Sequence, residues 1–318
     1  MKVSVLICTY NRHALLADSL RALLCLASEK PDEIIIVNGG DERADDVVRS
    51  FIDATGKADG VQVKLIKTVN RNLATSRNVG LRHCVGDIVA MTDDDAKVFP
   101  DWVTQIKRLH VERPDAGAVG GPVLGTNTAS LAGKVADAIT FPLWDMPRDV
   151  RTLAGVNIAY KREVLERIGF QDETLFRGED VDFNWRLLQT GYKICFHPAI
   201  KVFHHHRPTL RGVLNQHYMY GRAYYRVRRK WPEMYCVYPH GIRRKKDVLK
   251  AVNFIVALFY QPVLSCRRLP SIGAGLAALP ILFMAGVAWK AGMLLQLFAD
   301  CRLDKNRADA RKSDRAAA

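Results

Sequence analysis

No two of the seven cysteines (Cys8, Cys25, Cys84, Cys195, Cys236, Cys266 and Cys301) stand at the spacing of a metal finger. Their number is odd and several lie inside apolar runs, where a free thiol acts as a small hydrophobe. A disulfide framework is excluded, and a reducing compartment is expected. Glycine is missing from the first twelve residues. That excludes the glycine-rich phosphate loop a pyrophosphorylase carries near its first strand. Acidic residues run short at the other end. Residues 201–318 hold 22 Lys and Arg against six Asp and Glu, whereas residues 1–200 hold 25 against 27. The net charge of +14 is therefore a property of the C-terminal part, and such a part needs an anionic partner.

Charge itself is missing from two stretches there, Ala251–Cys266 and Leu269–Trp289, of 16 and 21 residues. As helices at ~1.5 Å per residue they reach roughly 24 and 31 Å, against a bilayer core of ~30 Å. Basic residues flank these runs at Arg243–Lys246, Arg267-Arg268 and from Arg302 onward. They do not interleave with aromatics, so an anionic membrane is expected as partner and nucleic acid is not. Two spans would carry Arg267 and Arg268 across the bilayer against the positive-inside tendency. Pro262 and Pro280 would kink both helices. A hairpin lying in the cytoplasmic leaflet is the expectation, two spans the alternative. The polar end from Arg302 reads as disordered. The N-terminal apolar run is cut short by Thr9-Tyr10-Asn11-Arg12 and reads as a strand, not a secretion signal.

What is present is an alternation. Apolar runs at Val3–Cys8, Glu33–Val37, Val61–Ile66, Asp87–Met91 and Ala118–Val123 read as buried strands. Between them His13–Ala27, Asp41–Ala54, Leu73–Val85 and Asp101–Arg113 read as helices. The expected fold class is α/β, a mainly parallel sheet covered by helices, with a C-terminal membrane-associated hairpin. Residues from about 125 to 150 look like an irregular loop. Regular structure is expected again at Leu153–Tyr160, in a helix from Arg162, and in a helix over Asp180–Thr190. The expected organisation is a catalytic domain over 1–240, with its nucleotide-binding half ending at 123. A membrane-associated region over 241–300 and a basic tail over 301–318 follow.

Polar clusters fall at strand ends, where ligands bind in such sheets. Met91-Thr92-Asp93-Asp94-Asp95 puts three mutually repelling carboxylates at the end of a buried strand. A hard cation is one reason for that arrangement, and an acidic turn capping the next helix is the other. Arg177-Gly178-Glu179-Asp180 opens a helix whose face carries Asp182, Trp185 and Arg186. Carboxylates suit any helix start, while Trp and Arg beside them suit a sugar ring and its phosphate or hydroxyl groups. Phe203-His204-His205-His206-Arg207 follows a strand-like run, and a His there can complete a carboxylate metal site.

In order, Ser4–Arg12, Glu33–Val37, Ala74–Gly80, Asp93–Asp95, Gly155-Val156-Asn157, Gly169–Glu173, Gly178-Glu179-Asp180 and the His204 region resemble glycosyltransferase family 2. The series spans about residues 3–207. The resemblance implies the GT-A architecture and an inverting transfer of sugar from a nucleotide-sugar donor to an acceptor hydroxyl. It implies Mg²⁺ or Mn²⁺ held by Asp93, Asp95 and His204, with His206 in reserve. It places Thr9, Tyr10, Asn11, Asn38, Asp41, Arg77, Asn78, Asp93 and Asp94 at the donor. Family members usually carry Asp at or near the end of the second strand, so Asn38 or Asp41 would face the base. Asn157, Trp185 and Arg186 would face the acceptor, a glycan or lipid-linked molecule, with polyprenyl phosphate as the alternative. Asp180 would be the general base and Glu179 the other choice. The catalytic domain would lie in the cytoplasm, where nucleotide sugars are made.

Overall fold

The computed structural model describes residues 1–55, 60–234 and 245–317, and the side chains of all of these but 54, 55 and 303–317. Cys236, Arg243 and Arg244 lie outside the described residues. The chain forms two compact units. The first comprises residues 1–128 and 139–206, the second residues 129–138 and 207–318. The boundary expected near residue 240 falls outside the described residues.

The first unit is built on the apolar runs. Strands β1 (Val3–Thr9), β2 (Glu33–Asn38), β3 (Gln62–Lys67) and β4 (Ile88–Asp93) pair in parallel in the order β3-β2-β1-β4. Helices α1 (His13–Arg21, continued by a π-helical turn over Ala22–Leu26), α2 (Arg43–Thr55) and α3 (Leu73–Leu81) connect them. Val5, Ile7, Ile34 and Ile36 enter one apolar core, while Leu6, Ile35 and Val37 enter a second. Alternate residues thus fill opposite faces of one sheet. A strand buried on both faces has to be apolar throughout, which is why β1, β2 and β4 read clearly from the sequence, while the edge strand β3 is only partly buried.

Beyond β4 the sheet becomes mixed, with β6 and β10 still parallel to each other. Strand β5 (Ala96–Val98) turns away after the Asp94-Asp95 corner, and α4 (Trp102–Glu112) leads to β6 (Ala116–Gly120). The run expected as one strand over Ala118–Val123 breaks at Gly121-Pro122, since Pro cannot donate to a ladder. It resumes as β7 (Val123–Gly125) in a different sheet. Helix α5 (Leu131–Thr140) and strand β8 (Arg148–Val150) occupy the stretch read as an irregular loop. The helix has its own signals: Ser130 Oγ accepts from Gly133 N, and Val135, Ala136 and Ala138 are buried. Strand β9 (Ile158–Lys161) inserts antiparallel between β4 and β6. Helices α6 (Arg162–Ile168) and α7 (Glu179–Gln189) and strands β10 (Lys193–Phe196) and β11 (Val202–His204) complete the unit. The large sheet runs β3-β2-β1-β4-β9-β6-β10-β8, and β5-β11-β7 form a second, three-stranded sheet.

The second unit contains most of α5 (residues 131–138) with α8 (Leu210–Lys230), α9 (Lys245–Cys266) and α10 (Ile272–Ala317). Two stretches in it, Lys245–Cys266 and Ile272–Arg302, are long and apolar enough to cross a membrane. The backbone continues as helix to Ala317, through the tail expected to be disordered. Residues 293–317 hold neither Gly nor Pro and are rich in Ala, Arg and Lys, the strong helix formers.

Candidate functional site

The end of β4 and the small sheet together build the site. Strand β4 delivers Asp93, the chain turns at Asp94-Asp95, and β5 leaves as one edge of the three-stranded sheet. Strand β11 pairs antiparallel with β5, setting His204 opposite Ala96, and His205 N donates to Asp95 O at 3.0 Å. Strand β7 holds the other side of β11, with His204 opposite Gly125. The register fixes His204 beside Asp95, Nε2 to Oδ1 3.2 Å. One ligand atom from each of Asp93, Asp95 and His204 lies within 4.8 Å of the others. These are the three residues expected to hold the metal. His204 is the last residue of its strand, not the residue after it.

The donor set fits a hard or borderline divalent cation: two carboxylates and one imidazole. His204 Nδ1 is buried without a hydrogen-bond partner. Phe141 lies edge-on to the His204 ring at 5.5 Å, and the His206 ring is 5.0 Å away.

Two arginines balance this charge. Arg12 sits over the turn, Nη1 donating to Asp94 Oδ1 at 3.0 Å and to Asp95 Oδ2. Arg77 is buried at 3% exposure; its Nη2 donates to Asp93 Oδ1 and its Nη1 to Glu179 Oε1, both at 3.0 Å. Gly155 makes room for it, because a Cβ there would lie 2.4 Å from Arg77 Nη1. One guanidinium thus joins the strand-end carboxylate to the first residue of α7. The sequence reading sent Arg77 to the nucleotide; the structure spends its charge on two carboxylates.

Helix α7 starts after Gly178, whose φ of 80° is left-handed backbone. Glu179 is buried. Burial, reinforced by the Asp180 charge and opposed by Arg77, pushes its carboxyl up to about 7. Asp180 is half-buried. Its Oδ2 accepts from Gly155 N at 3.2 Å and its Oδ1 from Val181 N at 2.8 Å. Asp94 is the inward member of the triplet. Thr9 Oγ1 donates to it at 2.8 Å, and burial, against the pull of Arg12, raises its carboxyl to about 6.

Several residues expected at ligands also make internal hydrogen bonds. Both amide hydrogens of Asn78 go to Gln171 O and Glu173 Oε1, and its Oδ1 accepts from Gln171 N. Asn38 Nδ2 donates to Asp41 O and Asp45 Oδ1 while its Oδ1 accepts from Gly40 N, so it shapes the turn after β2. Asn157 donates to Pro122 O and Ile200 O and accepts from Trp102 Nε1. Arg186 pairs with buried Asp182 and donates to Ile168 O and Phe170 O. Buried backbone carbonyls need donors, and Asn or Arg supplies them whether or not a ligand is near. Trp185 is half-buried on the same helix. Tyr10 is 53% exposed, and Asn11 has a positive φ of 54° and accepts from Asp41 N. Asp41 also meets His13 at 2.6 Å. Tyr10, Asn11 and Asp41 stay at the open end of β1 and β2. Arg12 was missed as a site residue. Its one sequence signal was a cation at a strand end in a sheet whose neighbouring strand end carries three carboxylates.

Residues 1–221 match the family model described as glycosyltransferase like family 2. A glucosyl-dolichyl phosphate glucuronosyltransferase of Haloferax volcanii is 32% identical over 221 residues, covering 64% of this chain and 69% of the relative. A poly-β-1,6-N-acetyl-D-glucosamine synthase of Staphylococcus aureus is 27% identical, covering 67% of this chain but only 52% of the synthase. The chain thus matches about half the length of that relative. Among solved structures, a mannosyltransferase of Pyrobaculum calidifontis in complex with GDP-Man and Mn²⁺ superposes with a TM-score of 0.58. It shares 20% identity over 94% of this chain and 85% of its own, so the likeness is one of fold, and that fold is GT-A. The stretch matched by the family takes in the whole of the large sheet, the Asp93–Asp95 turn and His204, and the chain belongs to glycosyltransferase-like family 2 and is a glycosyltransferase.

Proposed function

We propose that this chain transfers a sugar with inversion from a nucleotide-sugar donor to a hydroxyl or phosphate oxygen of a membrane-proximal acceptor, using Mg²⁺ or Mn²⁺. The observation that carries the reading is the Arg77 guanidinium, bonded at 3.0 Å both to Asp93 of the candidate metal cluster and to Glu179 beside Asp180. It brings leaving-group chemistry and base chemistry to the two ends of one side chain.

Asp93, Asp95 and His204 would hold the cation, which stabilises the negative charge developing on the departing nucleoside diphosphate. Arg12 adds a fixed positive charge at the same turn. Asp180, the more open of the two carboxylates at the start of α7, would take the proton of the acceptor hydroxyl as its oxygen attacks. Arg77 holds Glu179 in place and keeps its charge compensated. A base on the face opposite the leaving group gives direct displacement and therefore inversion. Tyr10, Asn11 and Asp41 would meet the nucleotide. Asn38, Asn78, Asn157 and Arg186 would act one step back, by fixing the backbone that shapes the site.

Two apolar helices in the second unit support a lipid-linked acceptor, polyprenyl phosphate included, over a free glycan. They also support work at a membrane face, which we place in the cytoplasm with the donor. The test is transfer from a panel of nucleotide sugars to lipid-phosphate and oligosaccharide acceptors, with Mg²⁺, Mn²⁺ or chelator. Anomeric configuration is read by NMR. Metal-dependent transfer with inverted configuration is expected. Full activity in chelator would overturn the metal assignment, and retained configuration would overturn direct displacement.

A further inference from the structure

We infer that α9 and α10 form an in-plane anchor that lies in one leaflet of an anionic bilayer, with its tip and its base on the same side. The inference concerns where the second unit sits, and it rests on the membrane-proximal reading above.

The two helices form an antiparallel hairpin. Phe259 stacks against Phe283 at 6.0 Å, Lys290 covers the Phe254 ring at 4.5 Å, and Cys266 Sγ donates to Gly275 O at 3.2 Å. Helix α8 packs on α10 at backbone contact. A Cβ on Gly221 would lie 1.8 Å from Trp289 O, and one on Gly292 would lie 2.0 Å from Tyr218 O. Polar ties extend the seam: Arg222 Nε donates to Gln296 Oε1 at 2.9 Å, and Arg229 meets Asp300 at 3.0 Å.

At about 100° per residue, the positions of α10 that meet α8 (Trp289, Gly292, Gln296 and Asp300) share one side of the helix. The bare apolar residues Leu276, Phe283, Val287, Leu294 and Phe298 share the opposite side. Helix α9 carries a matching stripe, Leu249, Val252, Val256, Phe259 and Val263, all at least 49% exposed. These faces are too long and too apolar to be left in water.

A bilayer crossing does not fit. Tyr218 of α8 meets Gly292 of α10 and Arg229 meets Asp300, so the two helices run in the same direction, and Arg211, seven residues before Tyr218, lies about 10 Å nearer the tip than Gly292. From Gly292 to Ser271 is 21 helical steps, about 32 Å at ~1.5 Å each, which leaves roughly 20 Å of α10 beyond Arg211, against ~30 Å of hydrocarbon. Arg268 at the tip lies within electrostatic reach of Asp137 on α5 of the same unit. An in-plane hairpin puts the basic residues of both ends at headgroup level: Lys245, Lys246 and Arg229 at the base, Arg267 and Arg268 at the tip. Each basic group near an anionic surface contributes about 1 kcal/mol, and the charges select anionic lipid as the occupant of the stripe.

The experiment uses the full chain with Ser271→Cys, expressed in cells and treated with a membrane-impermeant maleimide before or after permeabilisation. Labelling is read by peptide mass, with native Cys301 as control. Labelling at position 271 only after permeabilisation is expected. Labelling in intact cells would establish two spans and overturn the inference. No labelling in either case would place the tip inside hydrocarbon and overturn it too. In parallel, the purified protein should float with phosphatidylglycerol vesicles and at least tenfold less with phosphatidylcholine vesicles. A Val252→Asp/Phe259→Asp variant should lose flotation while keeping its fold by circular dichroism. A wild-type dimer in buffer that does not float would assign the stripe to a second copy instead. None of these readouts uses sugar transfer. Failure of transfer with one-sided labelling intact would sink the proposed acceptor and leave the anchor standing.

Discussion

Arg77 is the residue on which most of the site depends. It is buried, and so is the carboxylate of Glu179 that it holds. Removing one partner of a buried ion pair leaves an uncompensated charge, at a cost of about 3–5 kcal/mol. Arg77→Met should therefore lower the melting temperature of the first unit sharply. Adding Glu179→Gln should recover part of the loss, because the orphaned charge goes with it. A double variant no more stable than Arg77→Met would show that shape, not charge, is what Arg77 supplies. The two carboxylates of α7 are separable by the same logic. Asp180→Asn should keep Mn²⁺ affinity while turnover falls roughly 10²-fold or more, the scale of general-base loss. Glu179→Gln should cost stability and a smaller part of turnover. If turnover collapses only in Glu179→Gln, the two roles are exchanged.

At the scale of elements, α4 offers a pH test away from the metal. His110 of α4 is 3% exposed and bonds Ala159 O of β9 at 3.2 Å. Burial lowers its pKa to about 4. The folded state thus excludes a proton that the unfolded chain binds below ~6.5. The resulting stability is complete above that value and is lost as pH falls through 6.5 toward 4. Its size is roughly 3 kcal/mol by linkage. His110→Gln should flatten that part of the curve of denaturant stability against pH, and an unchanged slope would assign it to other groups. The small sheet gives the second test. His204→Ala should abolish Mn²⁺ binding by titration calorimetry, whereas His206→Ala should weaken it far less. The reverse order would mean that β11 is out of register by two residues.

Elements also show what a sequence carries. Strands β1, β2 and β4 were legible because burial on two faces demands continuous apolar runs, and the partly exposed edge strand β3 because Val63 and Leu65 alternate with Gln62 and Lys64. Strand β9 was legible only as regular structure within Leu153–Tyr160, since a four-residue apolar run fixes neither its bounds nor its direction in the ladder. Strands β5, β7 and β8 have three residues each, too few for an alternation to register. The Asp93, Asp95 and His204 cluster was legible from residue type at strand ends. The internal bonds of Asn38, Asn78, Asn157 and Arg186 were not legible, because a polar side chain in a motif looks alike whether or not it also serves a backbone carbonyl.

For the whole molecule, the division into two units has a measurable side. Gly292→Val would drive a side chain into Tyr218 O and break the α8–α10 seam. Overpacking of a close contact costs typically 1–3 kcal/mol or more. Vesicle flotation should fall and protease cleavage within 207–302 should rise, while Mn²⁺ binding by the first unit changes less than twofold. Loss of both together would mean that the units fold as one.

The pairing of β11 with β5 also sets an order of events in time. His204 stands 109 positions after Asp95, and the site's third ligand exists only once that later strand has been made and docked. A nascent chain that has emerged as far as β10 owns the large sheet and both aspartates but only two ligands. Metal binding by these three residues would therefore come late in synthesis, coupled to the docking of β11, as binding and folding are coupled wherever ligands come from distant segments. A growing polypeptide cannot grip the cation early and be trapped around it. Uptake of Mn²⁺ during refolding would serve as a clock for the moment the catalytic unit closes.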